Sequence, residues 1–205
     1  PQGGPILKRC QDLARELRCE LLLGGFHEAV IDDPQRCYNT SVYLDRDGSV
    51  VATYRKIHLF DVNIVDGPRL MESRQTAAGD RAVTTQTAFG TLGLTICYDL
   101  RFPSLYQHLT DLGAIAHSVP SAFTATTGDA HWHALLRARA IENQSYIIAP
   151  AQHGQHSANR ASYGHSLIVN PWGQVIAEIP EGDGYAIAKV DPAEVARVRE
   201  QLPRL

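Results

Sequence analysis

Helical and strand patterns alternate along this chain, and their order restricts the possible folds more than any other feature. Apolar residues at near-helical spacing predict a helix over residues 5–18, and ELLLGGF predicts a buried strand after it. Two hairpins follow, the first turning at Asp47 and Gly48 and the second near Gly90. The order of helices and strands favours an α/β fold with a mixed sheet covered by helices.

The rest of the chain continues this alternation. The remaining predicted elements are a long loop over 61–82, a helix in SLYQHLTDLG, a strand in AIAHSVPSAF, a helix opening near Asp129, a strand in SYIIAPAQ, two stretches of strand in GHSLIVNPWGQVIAEIP and GYAIAKVD, and a terminal helix in PAEVARVREQL. Long loops inside compact domains are often functional. Neither a repeat of fixed period nor a low-complexity linker divides the 205 residues, so we predict one domain over 1–205.

Composition narrows the classes of partner. The net charge is −3, which gives no electrostatic reason to expect nucleic acid or a membrane surface. No stretch of 18 apolar residues is present. The four cysteines show no metal-binding spacing, and so few in a chain of this size favour a reducing, cytoplasmic location. The neighbours His131 and His133 point apart on a helix, so we expect no metal, and no phosphate-binding loop suggests a cofactor.

One cysteine occupies a position suited to catalysis. Cys97 ends the apolar run GLTIC and is followed by the polar residues Tyr98, Asp99 and Arg101. A free cysteine is more often a packed core thiol, and we assign the other three cysteines to packing. A thiol at the end of a strand, before a turn, can face a pocket, and an ion pair of Asp99 with Arg101 is expected to hold that turn.

A cysteine nucleophile needs a nearby base or cation, and two charged residues are candidates. Lys56 ends the strand VATYRK, and Glu72 lies in the loop GPRLMESRQ. Each taken alone is more typical of solvated surface. Beside a thiol, Lys56 would lower the thiol pKa and donate to an oxyanion.

Longer blocks of sequence carry a family resemblance. YRKIHLFDV, TICYDLRFPSLY, PSAF, HWHALLRARAIEN and GHSLIVNPWG resemble the nitrilase superfamily of carbon–nitrogen hydrolases, and the match is closest to its Nit branch. The resemblance implies a four-layer α-β-β-α sandwich and at least a homodimer. It also implies an amidase in which Cys97 is the nucleophile, Lys56 is the catalytic lysine and Glu72 is the second, supporting glutamate.

The resemblance also implies residues beyond the printed chain. The general-base glutamate of the family lies on a strand ahead of the first long helix, where this chain begins. Glu28, in GGFHEA, matches a block that does not supply the base. We therefore expect an N-terminal strand–helix–strand unit to be missing, a slight C-terminal truncation, and a fragment that is inactive by itself.

Candidate substrate contacts follow from the same resemblance. We expect the backbone N–H of Tyr98 to join Lys56 at the oxyanion, and Phe123, Thr127 and Arg160 to bind the substrate. The implied substrate is a small amide with carboxylates, deaminated glutathione. Hydrolysis of ketoacid amides, as by an ω-amidase, is the alternative, and a non-catalytic scaffold is the third reading.

Overall fold

A computed structural model describes residues 4–63, 69–158 and 160–203. Its α-helices are α1 (Pro5–Leu17), α2 (Pro103–Asp111), α3 (Ala125–Asn143) and α4 (Pro192–Gln201). Its strands are β1 (Leu21–Val30), β2 (Asp33–Leu44), β3 (Val50–Arg55), β4 (Asp61–Asn63), β5 (Arg69–Met71), β6 (Thr76–Ala77), β7 (Val83–Thr87), β8 (Gly90–Leu94), β9 (Ala116–Ser118), β10 (Tyr146–Ala149), β11 (His153–Ser157), β12 (Arg160–Tyr163), β13 (Ser166–Val169) and β14 (Val175–Ile179). Short 3-10 helices span Glu72–Arg74 and Cys97–Arg101.

Two sheets form the body of the structure. The first has the order β1-β2-β3, with β6 added in parallel to the start of β2. The second has the order β14-β13-β10-β9-β8-β7, in which β9 pairs in parallel with both β8 and β10 while the outer pairs are antiparallel. The predicted hairpins at Asp47-Gly48 and Gly90 are β2–β3 and β7–β8, and the mixed sheet is confirmed.

Alternating side chains arrange these sheets and helices in four layers. On β10, Tyr146 packs with residues of both sheets, whereas its neighbour Ile147 packs with Trp132 and other apolar residues of the helices. Successive strand residues point to opposite faces, so the second sheet has one face on the first sheet and the other on α2 and α3. Ala14 of α1 packs against Val42 and Leu44 on the far side of the first sheet. The predicted α-β-β-α sandwich is confirmed.

One predicted strand is wrong. GYAIAKVD alternates apolar and polar residues, yet residues 184–190 form no strand. Tyr185 is 85% exposed and Ile187 is 80% exposed. Alternation favours a strand only where a neighbouring strand supplies hydrogen bonds, and no strand lies beside this segment among the described residues. One face is partly covered, since Val190 packs against the core between the sheets, but that is not enough to form a strand.

Other elements begin or end elsewhere than predicted. Helix α3 starts at Ala125, four residues before the predicted opening, and Gly128 N–H already donates to the Thr124 carbonyl at 2.7 Å. The predicted loop over 61–82 holds the β4–β5 hairpin, a 3-10 turn and β6, while its residues 64–68 lie outside the described residues. The hairpin β11–β12 was not predicted, because residues 153–157 are polar and exposed. No helix in the described ranges has the length and apolar character needed to cross a membrane.

Candidate active site

The backbone turns sharply at Cys97. This residue opens a 3-10 helix three residues after the end of β8, with a φ of 49° in the left-handed region. Left-handed backbone costs an L-residue about 1 to 2 kcal/mol, and such strain clusters at functional sites. The Cys97 N–H donates to the Pro120 carbonyl at 3.0 Å, which ties the turn to the segment after β9. The chain therefore leaves its extended path at Cys97, so the thiol does not follow the side-chain alternation of β8.

The Cys97 thiol lies where apolar and charged groups meet. It is half-buried and packs against both the helix-side core and the core between the sheets. Burial raises the pKa of Cys97, while the Lys56 charge, the Ala122 N–H and the Ser121 hydroxyl lower it and the Glu72 carboxylate raises it. The net pKa is above the ordinary value, so the resting group is a neutral thiol that needs a proton acceptor before it can attack.

Lys56 and Glu72 form a close ion pair beside this thiol. The Lys56 Nζ lies 2.5 Å from the Glu72 Oε2, and the lysine is only 2% exposed. Lys56 follows β3 directly and its N–H donates to the Asn39 carbonyl at 2.8 Å. A nearly buried ammonium needs a partner, because an unpaired charge in such a place is strongly disfavoured. The structure thus brings Lys56 and Glu72 together near Cys97, and their catalytic roles stay predictions.

The loop after β3 is folded back to hold Glu72 in place. The Phe60 N–H donates to the Glu72 Oε2 at 2.6 Å, and the Asn39 amide donates to its Oε1 at 3.4 Å. The Gly79 N–H donates to the Lys56 carbonyl at 2.8 Å, and a Cβ on this glycine would lie 2.1 Å from the Arg55 carbonyl oxygen. The Glu72 carboxylate is therefore held in place, because it accepts from the Lys56 ammonium, the Phe60 backbone and the Asn39 side chain.

Asp99 supports the turn, but not in the predicted way. This fully buried carboxylate accepts from the Tyr54 hydroxyl at 2.7 Å and from the Ile96 N–H at 2.9 Å. It also accepts from the His58 N–H at 3.1 Å and lies 2.7 Å from the His58 Nδ1. The expected ion pair with Arg101 is wrong, since that guanidinium lies against His131 instead. Tyr54 and His58 lie more than 40 residues away in sequence, and their long-range hydrogen bonds outcompete the local pair.

Comparison with known proteins decides the family. The carbon–nitrogen hydrolase family matches residues 2–200. The chain belongs to the carbon–nitrogen hydrolase family. It is 47% identical to the deaminated glutathione amidase of Dictyostelium discoideum, covering 98% of this chain and 70% of that protein.

Solved structures agree with this assignment. The NitFhit protein of Caenorhabditis elegans matches with a TM-score of 0.92 at 45% identity, covering 97% of this chain and 48% of that one. Saccharomyces cerevisiae Nit3, a member of the nitrilase superfamily, matches with a TM-score of 0.87 at 33% identity, covering 99% and 71%. The chain thus spans about half of NitFhit. It is a hydrolase of carbon–nitrogen bonds by family, and its fold is that of the nitrilase superfamily.

Two of the residues expected at the substrate lie next to Cys97. Tyr98 is the second residue of the 3-10 helix that Cys97 opens, where N–H groups have no acceptor within the helix. Its ring meets Phe60 edge-on at 4.9 Å. Phe123 is buried in the core cluster against which Cys97 packs, with its ring 5.0 Å from Trp132. The contact of either residue with substrate stays a prediction.

The other two expected contacts are placed differently. Thr127 lies in the first turn of α3, and its hydroxyl is 2.7 Å from that of Thr124. Arg160 is the first residue of β12, opposite Ser157, and is exposed. Its guanidinium has no ion pair within the described ranges. A free cation of this kind suits either solvent or an anionic ligand, so its role in binding also stays a prediction.

Sequence reasoning missed two residues that support the site through ring stacking and hydrogen bonding. His58 stacks on Phe102 with ring centres 3.7 Å apart, and its Nδ1 faces Asp99. Both lie in the blocks that carry the family resemblance, which was the available signal. Glu28, set aside as a base, is bound to Arg55 at 2.5 Å and to the Thr40 hydroxyl at 2.7 Å.

Proposed function

We propose that the protein is a cysteine-dependent amidase that hydrolyses deaminated glutathione, in which a ketone replaces the glutamyl amine. The observation that carries this proposal is a half-buried Cys97 at a strained turn, close to the buried Lys56–Glu72 ion pair. The name of the Dictyostelium relative supports the choice of substrate. The family assignment supports the reaction class.

The reaction proceeds as acyl transfer in two steps. A base takes the proton from the Cys97 sulfur, the sulfur bonds to the amide carbon, and the carbon–nitrogen bond breaks as the amine leaves with a proton. Lys56 and the Tyr98 N–H stabilise the oxyanion, where loss of one donor costs about 3 to 4 kcal/mol. Water then attacks the thioester, which regenerates the thiol and releases the acid.

Glu72 does not serve as this base in our proposal. Its Oε2 already accepts from both the Lys56 Nζ and the Phe60 N–H. This oxygen is therefore already occupied by two donors and is not free to accept the Cys97 proton. We place the proton acceptor on the glutamate that the family resemblance assigns to a strand ahead of α1, outside these 205 residues. Glu72 instead orients Lys56.

The leaving group separates the two candidate substrates. In deaminated glutathione the amide joins the keto acid to a dipeptide, so hydrolysis frees the dipeptide's primary amine. The ω-amidase alternative acts on α-ketoglutaramate and frees ammonia. Arg160, exposed and unpaired among the described residues, is our candidate for a substrate carboxylate, since a guanidinium binds carboxylates bidentately. Thr127 and Phe123 are the accompanying candidates.

A comparison of the two substrates tests the proposal. We expect the full-length protein to release amine from deaminated glutathione with a higher kcat/KM than it releases ammonia from α-ketoglutaramate. Arg160→Lys should raise KM more than it lowers kcat, because a lysine keeps the charge but not the bidentate geometry. Faster turnover of α-ketoglutaramate would overturn the substrate assignment. The 205-residue chain assayed alongside, expected to be inactive, tests the reading of it as a non-catalytic scaffold.

We also propose a reducing, cytoplasmic setting and a homodimer. The cysteines Cys10, Cys19, Cys37 and Cys97 are free, which suits a compartment that keeps thiols reduced. Large apolar side chains such as Tyr185, Ile187 and Trp172 are exposed in the single chain. Exposed apolar surface of this kind favours association between subunits. Measurement of the mass in solution by light scattering tests the dimer.

A further inference from the structure

Two histidines and a glutamate from three separate elements meet away from the turn at Cys97. His133 lies on α3, His165 lies between β12 and β13, and Glu178 lies on β14. One ligand atom from each lies within 4.8 Å of the other two. The His133 Nε2 is 2.9 Å and the His165 Nδ1 is 2.7 Å from the same Glu178 Oε1. We propose that these three side chains form a binding site for a zinc ion.

The donor set suits zinc. Imidazole nitrogen and carboxylate oxygen are ordinary zinc ligands, and two histidines with one glutamate leave a fourth tetrahedral position for water. With bonds of about 2.0 to 2.1 Å, tetrahedral ligand atoms stand about 3.3 Å apart. The two histidine–glutamate separations open by about half an ångström to reach this geometry, and the histidine–histidine separation, at most 4.8 Å, closes toward the same value. The three side chains are 24 to 35% exposed, so solvent can reach the open position.

The histidine rings are held in position by their neighbours. The Tyr163 ring stacks on His165 with centres 4.4 Å apart and an angle of 23°. The His133 ring meets both of these rings edge-on, at 6.2 Å from Tyr163 and 5.2 Å from His165. The Trp132 Nε1 donates to the His165 carbonyl at 2.8 Å. Rigid ligands lose little conformational freedom when a metal binds, which favours affinity.

The backbone of His165 is a second, independent sign of a special position. Its φ is 56°, in the left-handed region that a histidine seldom adopts. Gly164 precedes it with a φ of 81°, and a Cβ there would lie 2.9 Å from the His153 Cβ. These two left-handed residues turn the chain so that the His165 imidazole lies against Glu178, and only the histidine is strained there. Strain at a single residue points to a functional constraint on its side chain.

The position in the fold indicates what the ion does. β14 is the edge strand of the second sheet, and α3 covers that sheet. An ion bound by His133 and Glu178 joins the helix to the edge strand across the two layers, and His165 anchors the adjoining loop. The ion would therefore tie these elements together, and its main measurable effect is on the stability of the folded chain, while the fourth position stays open to water.

The sequence predicts no metal, because the four cysteines lack metal-binding spacing and the neighbours His131 and His133 point apart on a helix. These two do point apart, since His131 lies against Arg101 while His133 faces Glu178. The ligands His133, His165 and Glu178 are 32 and 13 residues apart along the chain. Such spacing matches no short metal motif, so only the fold brings the three together.

Titration of the full-length protein with Co²⁺ and Zn²⁺ tests the proposal. We expect one Co²⁺ per chain with the intense visible absorption of a tetrahedral site, displaced by Zn²⁺. Zn²⁺ at 100 times its dissociation constant should raise the Tm by about 5 to 10 °C. His133→Gln and Glu178→Gln should each weaken binding at least about tenfold, since even outer residues of metal sites cost that much.

Controls separate this site from other metal-binding groups. His131→Gln removes the neighbouring imidazole and should leave affinity unchanged. Cys97→Ala should also leave it unchanged, and loss of binding in that variant would place the metal on the thiol and overturn the proposal. Equal affinity in His133→Gln, or no saturable binding to the wild-type protein, would overturn it as well. His165→Asn, which tolerates the left-handed backbone, serves if a glutamine variant does not fold.

Discussion

The ammonium of Lys56 and the carboxylate of Glu72 meet at 2.5 Å near Cys97, and the lysine is almost entirely buried. Removing one partner leaves the other charge unpaired, whereas removing both leaves no charge. We therefore predict that Lys56→Met lowers the free energy of unfolding by about 3 to 5 kcal/mol, and that the double variant Lys56→Met/Glu72→Gln loses clearly less.

Urea unfolding of the wild type, both single variants and the double variant measures this coupling. Additive losses in the double variant would show that the two side chains do not interact. Activity should fall in every variant, because the double variant restores stability but not the oxyanion donor.

Asp99 is the buried acceptor that joins the turn after β8 to the segment after β3. Asp99→Asn replaces one of the two carboxylate oxygens, which accept from Tyr54 and from His58, with an amide N–H₂ group. At that oxygen's position two buried donors then face each other. We predict a loss of about 2 to 3 kcal/mol in the free energy of unfolding, measured in urea. Tyr54→Phe removes one of these donors and should cost about 1 kcal/mol. An Asp99→Asn variant as stable as the wild type would refute a supporting role for this carboxylate.

The left-handed backbone of Cys97 makes a prediction about stability separate from activity. Glycine adopts a φ of 49° without strain, so Cys97→Gly should be about 1 kcal/mol more stable than Cys97→Ala. In the ordinary helical position Ala134, on the exposed side of α3, the glycine variant should instead be less stable by about 1 kcal/mol. Thermal unfolding of the variants compares the two sites. A less stable Cys97→Gly would contradict the strained turn.

Acid should weaken the link between β1 and β3. The hydrogen bond from Arg55 lowers the pKa of Glu28 below its ordinary value of 4.5, burial works against this, and the Thr40 hydroxyl lowers it further. The stabilisation is complete above about pH 4.5 and is lost as the pH falls through the lower folded-state pKa. Glu28→Gln should therefore lose stability less steeply below about pH 4.5 than the wild type does.

Urea midpoints between about pH 3 and pH 7 measure this dependence. Glu181→Gln removes an exposed carboxylate and controls for the change in net charge. Identical pH profiles for wild type and Glu28→Gln would count against the Arg55 contact.

The sequence predicted the parts of this site that lie in contiguous blocks and missed those that depend on pairing across the fold. Cys97 ends an apolar run and Lys56 ends a strand pattern, and these local signals placed both residues just beyond a strand, Cys97 after β8 and Lys56 after β3. Asp99 was assigned to its neighbour Arg101, because sequence alone favours nearby charges, whereas the fold supplies Tyr54 and His58. The strand predicted in GYAIAKVD was also wrong because of pairing across the fold. Its alternation is typical of a strand, but no strand among the described residues lies beside it.

The most direct test of Cys97 as the nucleophile is the reaction of the full-length protein with deaminated glutathione, quenched in acid and analysed by mass spectrometry. We predict an acyl group on the peptide that contains Cys97. Cys97→Ala should lose both the adduct and amine release, while Cys37→Ala, which removes another free cysteine, should retain both. Turnover that continues in Cys97→Ala, or an adduct on another residue, would contradict Cys97 as the nucleophile.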